Sequence, residues 1–369
     1  MTQKTALYES HLAHDAKIVD FHGWLLPIHY GSQMEEHHQV RKDAGMFDVS
    51  HMTTIDIEGS DTRKFLHKLL ANNVDRLKES GKALYSCMLN ERGGIIDDLI
   101  VYYLNDNWYR MVINAATRER GLSWMKQQAA SLDVAFKIRD DLSMIAIQGP
   151  NARDKTHKTL SEHSATLEQI KPFNSAMIGD LFVARTGYTG EDGYEVMAPD
   201  HQAAELWQQL HSHGVQPIGL GARDTLRLES GFNLSGTDMD ETISPFECDL
   251  VWTIAWDPKD RDFIGRAVLE GQLKMPPPLK QVGLVLNEKG VLRNGQKLIT
   301  DNGGEGIITS GGFSPTLGRA IALARVPLDI SDTCKVEIRS KLLTATIVKP
   351  PFVRQGKSCI TEMVKGITV

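Results

Sequence analysis

Three consecutive prolines, Pro276-Pro-Pro278, divide this chain of 369 residues more firmly than any other feature in it. Proline lacks a backbone N–H and fixes φ, so such a run belongs neither in a helix interior nor in a central strand. It reads as a connector. Beyond it, short β-prone runs alternate with Gly and Asn turns, the pattern of an all-β sandwich or barrel.

Before the connector the pattern is mixed. Thr53-Thr-Ile-Asp-Ile-Glu58 alternates as a strand does, and a short helix follows with Phe65, Leu66, Leu69 and Leu70 on one side. Strands are predicted at 82–89, 98–104 and 108–113, a helix near 117–130 and a last strand near 133–139. The order β-α-β-β-β-α-β matches a split βαβ sheet with one added hairpin strand, over 51–141. On either side lie Ser32-Gln-Met-Glu35, a capping box opening a helix that Gly45 closes, and a strand Ser143–Ile147. A hairpin over 177–184, a glycine-rich loop over 187–193, a helix over 201–213 and a helix starting near Ala222 complete this part.

The balance of 41% hydrophobic and 24% charged residues is that of a globular protein large enough to bury cores without staples. Net charge is −6 with both signs interspersed, so nucleic acid and anionic membrane are poor partners. Cys87, Cys248, Cys334 and Cys359 have no Cys-x-x-Cys spacing and read as free thiols in a reducing compartment. The pairs His11/His14 and His37/His38 lack a third ligand, so no metal site is expected. No apolar run is long enough to span a membrane, and the first residues carry no signal or transit pattern. A cytoplasmic location is the expectation.

In "NERGGIIDDLIVYYL" two adjacent carboxylates, Asp97 and Asp98, head an apolar strand after a Gly93-Gly94 turn. Successive strand side chains face opposite ways. Asp97 therefore goes with Leu99 and Val101, and Asp98 with Ile100 and Tyr102. If protein covers both faces, at least one carboxylate enters an apolar setting, which is costly unless it is paired. The plainer alternative is that both cap the turn in water.

"RTGYTGEDGYE" (185–195) carries Gly187, Gly190 and Gly193, which permit close backbone approach or positive φ, a stackable Tyr188, and Glu195 just inside a strand. It is either an exposed loop or a platform for a flat heterocycle whose aminopyrimidine edge donates to Glu195. Arg223 in "GLGARD" either pairs with Asp224 or Glu229 or holds an anionic ligand; the segment lacks the third glycine and the βαβ setting of a dinucleotide site. Tyr85 sits on a strand neighbouring that of Asp98, as core or as ligand wall.

Together "VDFHGW", "HYGS", "GMFDVSHM", "GGIIDDLI", "RTGYTGEDGYE", "GLGARDTLRLE", "MDETISPFE", "EGIITSGGFSPTLG" and "KPPFVR" resemble the aminomethyltransferase (T-protein) family of the glycine cleavage system over practically the whole chain. The resemblance implies an α+β fold: a three-domain cloverleaf around a central folate site, with a split βαβ (ferredoxin-like) middle domain and a C-terminal β-barrel or jelly roll. The expected domains are 1–50 with 142–275 as a discontinuous folate-binding unit, 51–141 inserted, and 279–369 as the barrel. The implied reaction passes the carbon of an aminomethyl group on the lipoyl arm of H-protein to tetrahydrofolate, releasing ammonia and 5,10-methylenetetrahydrofolate. The protein is expected to be a monomer that meets H-protein transiently.

Position by position, the resemblance makes Asp98 the catalytic carboxylate and Glu195 the acid reading the pterin. It places Met52, Tyr85, Val112, Asn114 and Tyr188 on the pocket wall, Arg223 at the folate's acidic tail and Arg354 along the tail's route. Relatives of the same fold include folate-dependent demethylases, which act on free small molecules, and non-enzymatic assembly factors. The latter carry a cysteine-containing loop where this chain has "TGYTGEDGYE", and they lack the family aspartate.

Overall fold

The structure, a computed structural model, describes residues 2–360. The stretch 361–369, the end of the expected third domain, lies outside the described residues.

Two antiparallel sheets pack over the centre of the molecule. One has five strands in the order Ala83–Leu89, Ile95–Asn105, Trp108–Ile113, Thr53–Glu58, Ala135–Ile138. This is the split βαβ arrangement with an extra strand, Ala83–Leu89, hydrogen-bonded at its edge. Period-two alternation divides its side chains cleanly. Leu99, Val101, Met111 and Ile113 face the helices Thr62–Leu69 and Arg118–Gln128, burying Phe65, Leu66, Leu122 and Met125 against them.

The opposite face of that sheet carries Ile100, Tyr102 and Val112. These meet Phe47, Met144, Ala146, Phe182 and Met197 from the second sheet. The second sheet runs Ser175–Ile178, Leu181–Ala184, Gly193–Pro199, Leu142–Gln148, Gly45–Asp48, Gln216–Pro217; only the last strand pairs parallel. Its outer face, with Ile145, Ile147, Val196 and Ala198, is closed by Trp207, Leu206 and Leu210 of the helix Asp200–Ser212. The two sheets are stitched at one corner by a Lys82↔Asn174 bridge. Gly81 makes that seam possible: its φ is +88°, and a Cβ there would stand 2.1 Å from the Ser175 carbonyl oxygen.

After the helix Arg266–Lys274 the proline run carries the chain to a closed six-stranded barrel. Its order is Leu279–Leu286, Arg319–Pro327, Glu305–Ser314, Lys297–Thr300, Thr333–Ile338, Lys341–Val348, back to the first. Closure leaves no open edge.

Two local expectations are corrected. Gly45 does not close the helix Gln33–Lys42, which Asp43 caps; it opens a strand, and its missing side chain makes room for Ile218, whose Cγ1 would lie 2.3 Å from a Cβ there. The helix expected near Ala222 begins at Leu220, so "GLG" is not simply a loop. A Cβ on Gly219 would meet the Ile28 carbonyl oxygen at 2.4 Å, and one on Gly221 would meet Gln33 Nε2 at 2.3 Å. Those glycines let a helix approach its neighbours closely.

Candidate functional site

The pair Asp97–Asp98 sits where the five-stranded sheet changes surroundings. Asp97 is 0% exposed and lies on the helix-covered face; the alternative in which both carboxylates stay in water does not hold. Asp98 faces the gap between the sheets and lines a cavity there of about 150 Å³. One side-chain amide joins the pair: Asn114 Nδ2 donates to Asp97 Oδ1 at 2.8 Å and to Asp98 Oδ1 at 2.9 Å. The Asn114 backbone N–H donates to Asp97 Oδ2 at 3.1 Å, and the Tyr85 hydroxyl donates to Asp98 Oδ2 at 2.7 Å. Burial raises the pKa of Asp98, against the opposing pull of Tyr85 and Asn114. Burial, and then the charge of Asp98, push Asp97 up to about 8.

The same cavity gathers Met52, Tyr85, Val112, Asn114, Tyr188, Glu195 and Arg223 with Asp98. Thus every residue expected at the site except Arg354 lines one chamber. Its floor is the sheet-to-sheet contact, with Ile100, Val112 and Met144 as apolar wall. Glu195, on the strand Gly193–Pro199, has its Oε2 held by the Thr186 hydroxyl, while no described residue donates to its Oε1. Burial raises its pKa, and the Thr186 hydroxyl and the charge of Arg223 oppose that.

Arg223 forms neither ion pair considered for it. Asp224 and Glu229 are taken, by Arg227 at 2.8 Å and by Arg41 at 2.8 Å. The Arg223 guanidinium lies instead 4.6 Å from the centroid of the Tyr188 ring, a cation–π arrangement. Burial lowers its pKa, so the cation is held with less solvent than is usual for arginine. Beside it His51, buried and with its Nδ1 unpartnered among the described residues, is pushed down to about 3, by burial first and the Arg223 charge second.

The loop carrying Tyr188 is built by its glycines. A Cβ on Gly187 would stand 1.9 Å from Gln148 Oε1, one on Gly193 would stand 2.0 Å from the Ile147 carbonyl oxygen, and Gly190 has φ +77°. The Tyr188 hydroxyl donates to the Asn233 carbonyl, and its ring stacks on Phe232 at 5.6 Å between centroids.

The chamber continues outward into a second of about 320 Å³, sharing Tyr85, Asp98, Phe173, Gly187 and Tyr188. Arg354 lines this outer part only, beside Pro350 and Pro351. Besides Phe232, two aromatics line this part that no sequence motif marks. Trp252, 64% exposed, stacks on the Tyr85 ring at 5.5 Å, and Phe173, 50% exposed with φ +57°, lines both chambers. Neither lies in one of the motifs singled out. Thr186, at the head of the same glycine-rich loop, reaches Glu195 because Ala184, two residues before it, pairs with Glu195 across the sheet, a long-range register without a local signature.

A buried ionic network fastens the loop from behind. Arg41 Nη2 donates to Glu229 Oε2 at 2.8 Å, and its Nη1 donates to the Thr189 carbonyl and to Glu191 Oε1, both at 2.7 Å. Glu229 also accepts from Thr316 Oγ1 at 2.9 Å and from the Ser314 hydroxyl, both on the barrel side, and stands 3.2 Å from His37 Nε2. Glu191 accepts from the Gly356 N–H at 2.8 Å.

Among the described residues, no cluster of His, Cys, Asp and Glu is arranged to hold a metal ion, and no helix is long and apolar enough to cross a membrane. Family models match the chain twice: the GCVT N-terminal domain over residues 7–258, and the glycine cleavage T-protein C-terminal barrel domain over residues 280–354. Among solved structures, the glycine cleavage system aminomethyltransferase T from Bartonella henselae is similar with a TM-score of 0.90 and 31% identity, covering 96% of this chain and 99% of that one. A heterotetrameric sarcosine oxidase from Corynebacterium sp. U-96 matches over 48% of this chain and 91% of that one, at 10% identity and a TM-score of 0.34, too slight to carry weight.

Proposed function

The chain belongs to the glycine cleavage T-protein family, and on that premise we propose that it transfers the methylene carbon of an aminomethyl group, borne on the dihydrolipoyl arm of H-protein, to tetrahydrofolate. Ammonia, the dihydrolipoyl protein and 5,10-methylenetetrahydrofolate are the products. The observation that carries this reading is the convergence of Asp98, Glu195, Tyr188 and Arg223 on one chamber between the sheets.

The residues present fit a reduced pterin. Glu195 offers a buried acceptor oxygen, as an aminopyrimidine edge with two N–H donors requires. Arg223 is a cation that no described carboxylate neutralises at salt-bridge distance, and the Tyr85 and Tyr188 rings supply flat apolar walls. Because Arg223 shares the inner chamber with Glu195 while Arg354 lines only the outer one, we reassign Arg223 to the pterin end and keep Arg354 for the acidic tail.

When bound, tetrahydrofolate supplies the nitrogen nucleophile. The chain's own residues do the rest. Met52, Val112 and Met144 exclude water from the reacting end, which strengthens each charge interaction there. Asp98, held by Tyr85 and Asn114, orients the folate, faces the positive charge that develops as ammonia departs, and helps move a proton. No covalent enzyme intermediate is invoked. Two buried thiols flank the site, Cys87 in register with Asp98 and Cys248 in the wall of the outer chamber; burial above all pushes Cys87 up to about 12 and Cys248 well above the usual thiol range, so neither is a nucleophile.

The test is ammonia release from aminomethyl-loaded H-protein with and without tetrahydrofolate, alongside detection of methylenetetrahydrofolate. Folate-dependent release of both products is expected. Folate binding without turnover of that substrate would shift the assignment to a demethylase or to a folate-binding assembly factor.

A further inference from the structure

Asp97 is required by nothing in the mechanism above, yet it is wholly buried, and it accepts from the Asn114 backbone N–H and side-chain amide with the Thr117 hydroxyl beside them. An Asn side-chain amide has two hydrogens. Asn114 Nδ2 spreads them over three oxygens: Asp97 Oδ1, Asp98 Oδ1 and, at 3.1 Å, the Asp98 carbonyl. Both carboxyl groups therefore lean on one side-chain amide; their other donors, the Asn114 N–H and Thr117 hydroxyl at Asp97 and the Tyr85 hydroxyl at Asp98, are neutral too, and no described cation pairs with either.

The surroundings confirm the lack of compensation. On the adjacent strand Ala83–Leu89, Met88 stands opposite Asp97, and Cys87 opposite Asp98 is a neutral thiol. The Thr117 hydroxyl next to Asn114 is neutral. On the helix Arg118–Gln128, Arg120 donates to the Ile96 carbonyl at 3.2 Å but is paired with Glu241 at 3.3 Å. Like charges sharing a desolvated site do not both ionise; one proton stays. The Tyr85 hydroxyl, donating to Asp98 Oδ2, favours the ionised form of Asp98 and leaves Asp97 as the acid.

We infer that Asp97 is a positioning residue that keeps the pair's single proton, so that of the two it is Asp98 that presents negative charge to the cavity across the neutral range. Its effect on turnover rests on the aminomethyl-transfer reading; the location of the proton does not. Above the point where Asp97 ionises, which burial and Asp98 set at about 8, a second charge enters beside Asp98. The pair then titrates as a unit: the added charge raises the proton affinity of Asp98 and competes for the Asn114 amide, and turnover falls.

The first readout is pH-difference infrared spectroscopy of the full chain without ligand. A protonated-carboxyl component is expected at neutral pH that is lost on alkalisation, missing from the Asp97→Asn spectrum, retained in Glu195→Gln, which removes the other raised carboxyl of the chamber, and lost at lower pH in Asp98→Asn because the charge that raises Asp97 has gone. No band at neutral pH, or a spectrum of Asp97→Asn that keeps the full wild-type intensity, would overturn the proposal. If Asp97→Asn does not fold, the wild-type and Asp98→Asn spectra decide alone. An alkaline loss that does not move when Asp98 is replaced would equally overturn it.

The second readout is the pH dependence of kcat for ammonia release. Asp97→Asn places an NH₂ against one of the Asn114 donors and should lower kcat several-fold with folate KM little changed, while abolishing the alkaline limb. A purely structural Asp97 would lower kcat alike at every pH and leave the limb in place. Should the wild-type protein not turn over aminomethyl-loaded H-protein at all, the functional reading fails, and the infrared result still locates the proton.

Discussion

Tyr85 and Asp98 are diagonal neighbours across an antiparallel pair: Asp98 is in register with Cys87, and the Tyr85 hydroxyl reaches over to its Oδ2 at 2.7 Å. The same tyrosine ring is stacked under Trp252. One side chain thus sets the charge of the carboxylate with its polar end and the shape of the outer wall with its ring. Tyr85→Phe separates the two. Loss of a hydrogen bond to a buried carboxylate costs about 1–3 kcal/mol of the charged form. The acid limb of kcat should then move to higher pH by about 1–2 units, with folate affinity little changed. An acid limb that stays put in the pH–rate profile would remove Tyr85 from this role.

Asp98→Asn keeps the side-chain volume and an oxygen for Asn114 but removes the charge. Turnover should fall by about 10²–10⁴, the usual worth of a positioned acid–base group, while the folate Kd measured by calorimetry stays within a few-fold. Turnover at the wild-type rate would take Asp98 out of the chemistry.

Glu195→Gln replaces an acceptor by a donor where two ligand N–H groups are expected, and Thr186 holds the other oxygen. One unmatched buried donor costs about 1–3 kcal/mol. Titration calorimetry should show folate weakened accordingly, and an unchanged Kd would contradict the pterin-reading role.

The Glu229 network makes a prediction about stability. Burial raises the Glu229 pKa, but His37, Arg41 and Ser314 outweigh it and hold the group at about 2, against an ordinary value of 4.5. The folded protein thus binds this proton less readily than the unfolded chain does. The resulting stability is fully present above about pH 5 and is lost as pH falls toward 2. A shift of that size corresponds to about 3 kcal/mol. Glu229→Gln should lower the unfolding free energy near pH 7 and flatten its decline between pH 5 and 3, read from urea unfolding at each pH. A decline as steep as that of the wild type would assign acid sensitivity to other carboxylates.

Much of this architecture is legible in the chain. Alternation alone separated Asp97 from Asp98, and the strands at 53–58 and 108–113 fall where the pattern puts them. What alternation cannot state is which face looks into a cavity. That depends on helices covering Leu99 and Val101 while the second sheet stands off from Asp98, a tertiary fact without a local signature. The roles of Gly45 and Gly219 are hidden for a related reason: their lack of a side chain serves close packing against Ile218 and Ile28, which are far away in sequence. Trp252 and Phe173 reach the site from segments with no motif, and only their position in space reveals them.

The fastening behind Tyr188 has a consequence for how the protein is made. Arg41 reaches Thr189 across 148 residues and Glu229 across 188, and Glu191 waits for Gly356, 165 residues further along. A nascent chain can complete the five-stranded sheet, with Asp98 and Tyr85 in register, before Glu229 and the hairpin of Val353–Arg354 with Lys357–Ser358 are synthesised. The Tyr188 loop gains this anchor only after Gly356 has been synthesised, so the platform for a ligand is fastened well after the sheet that carries Asp98 can form.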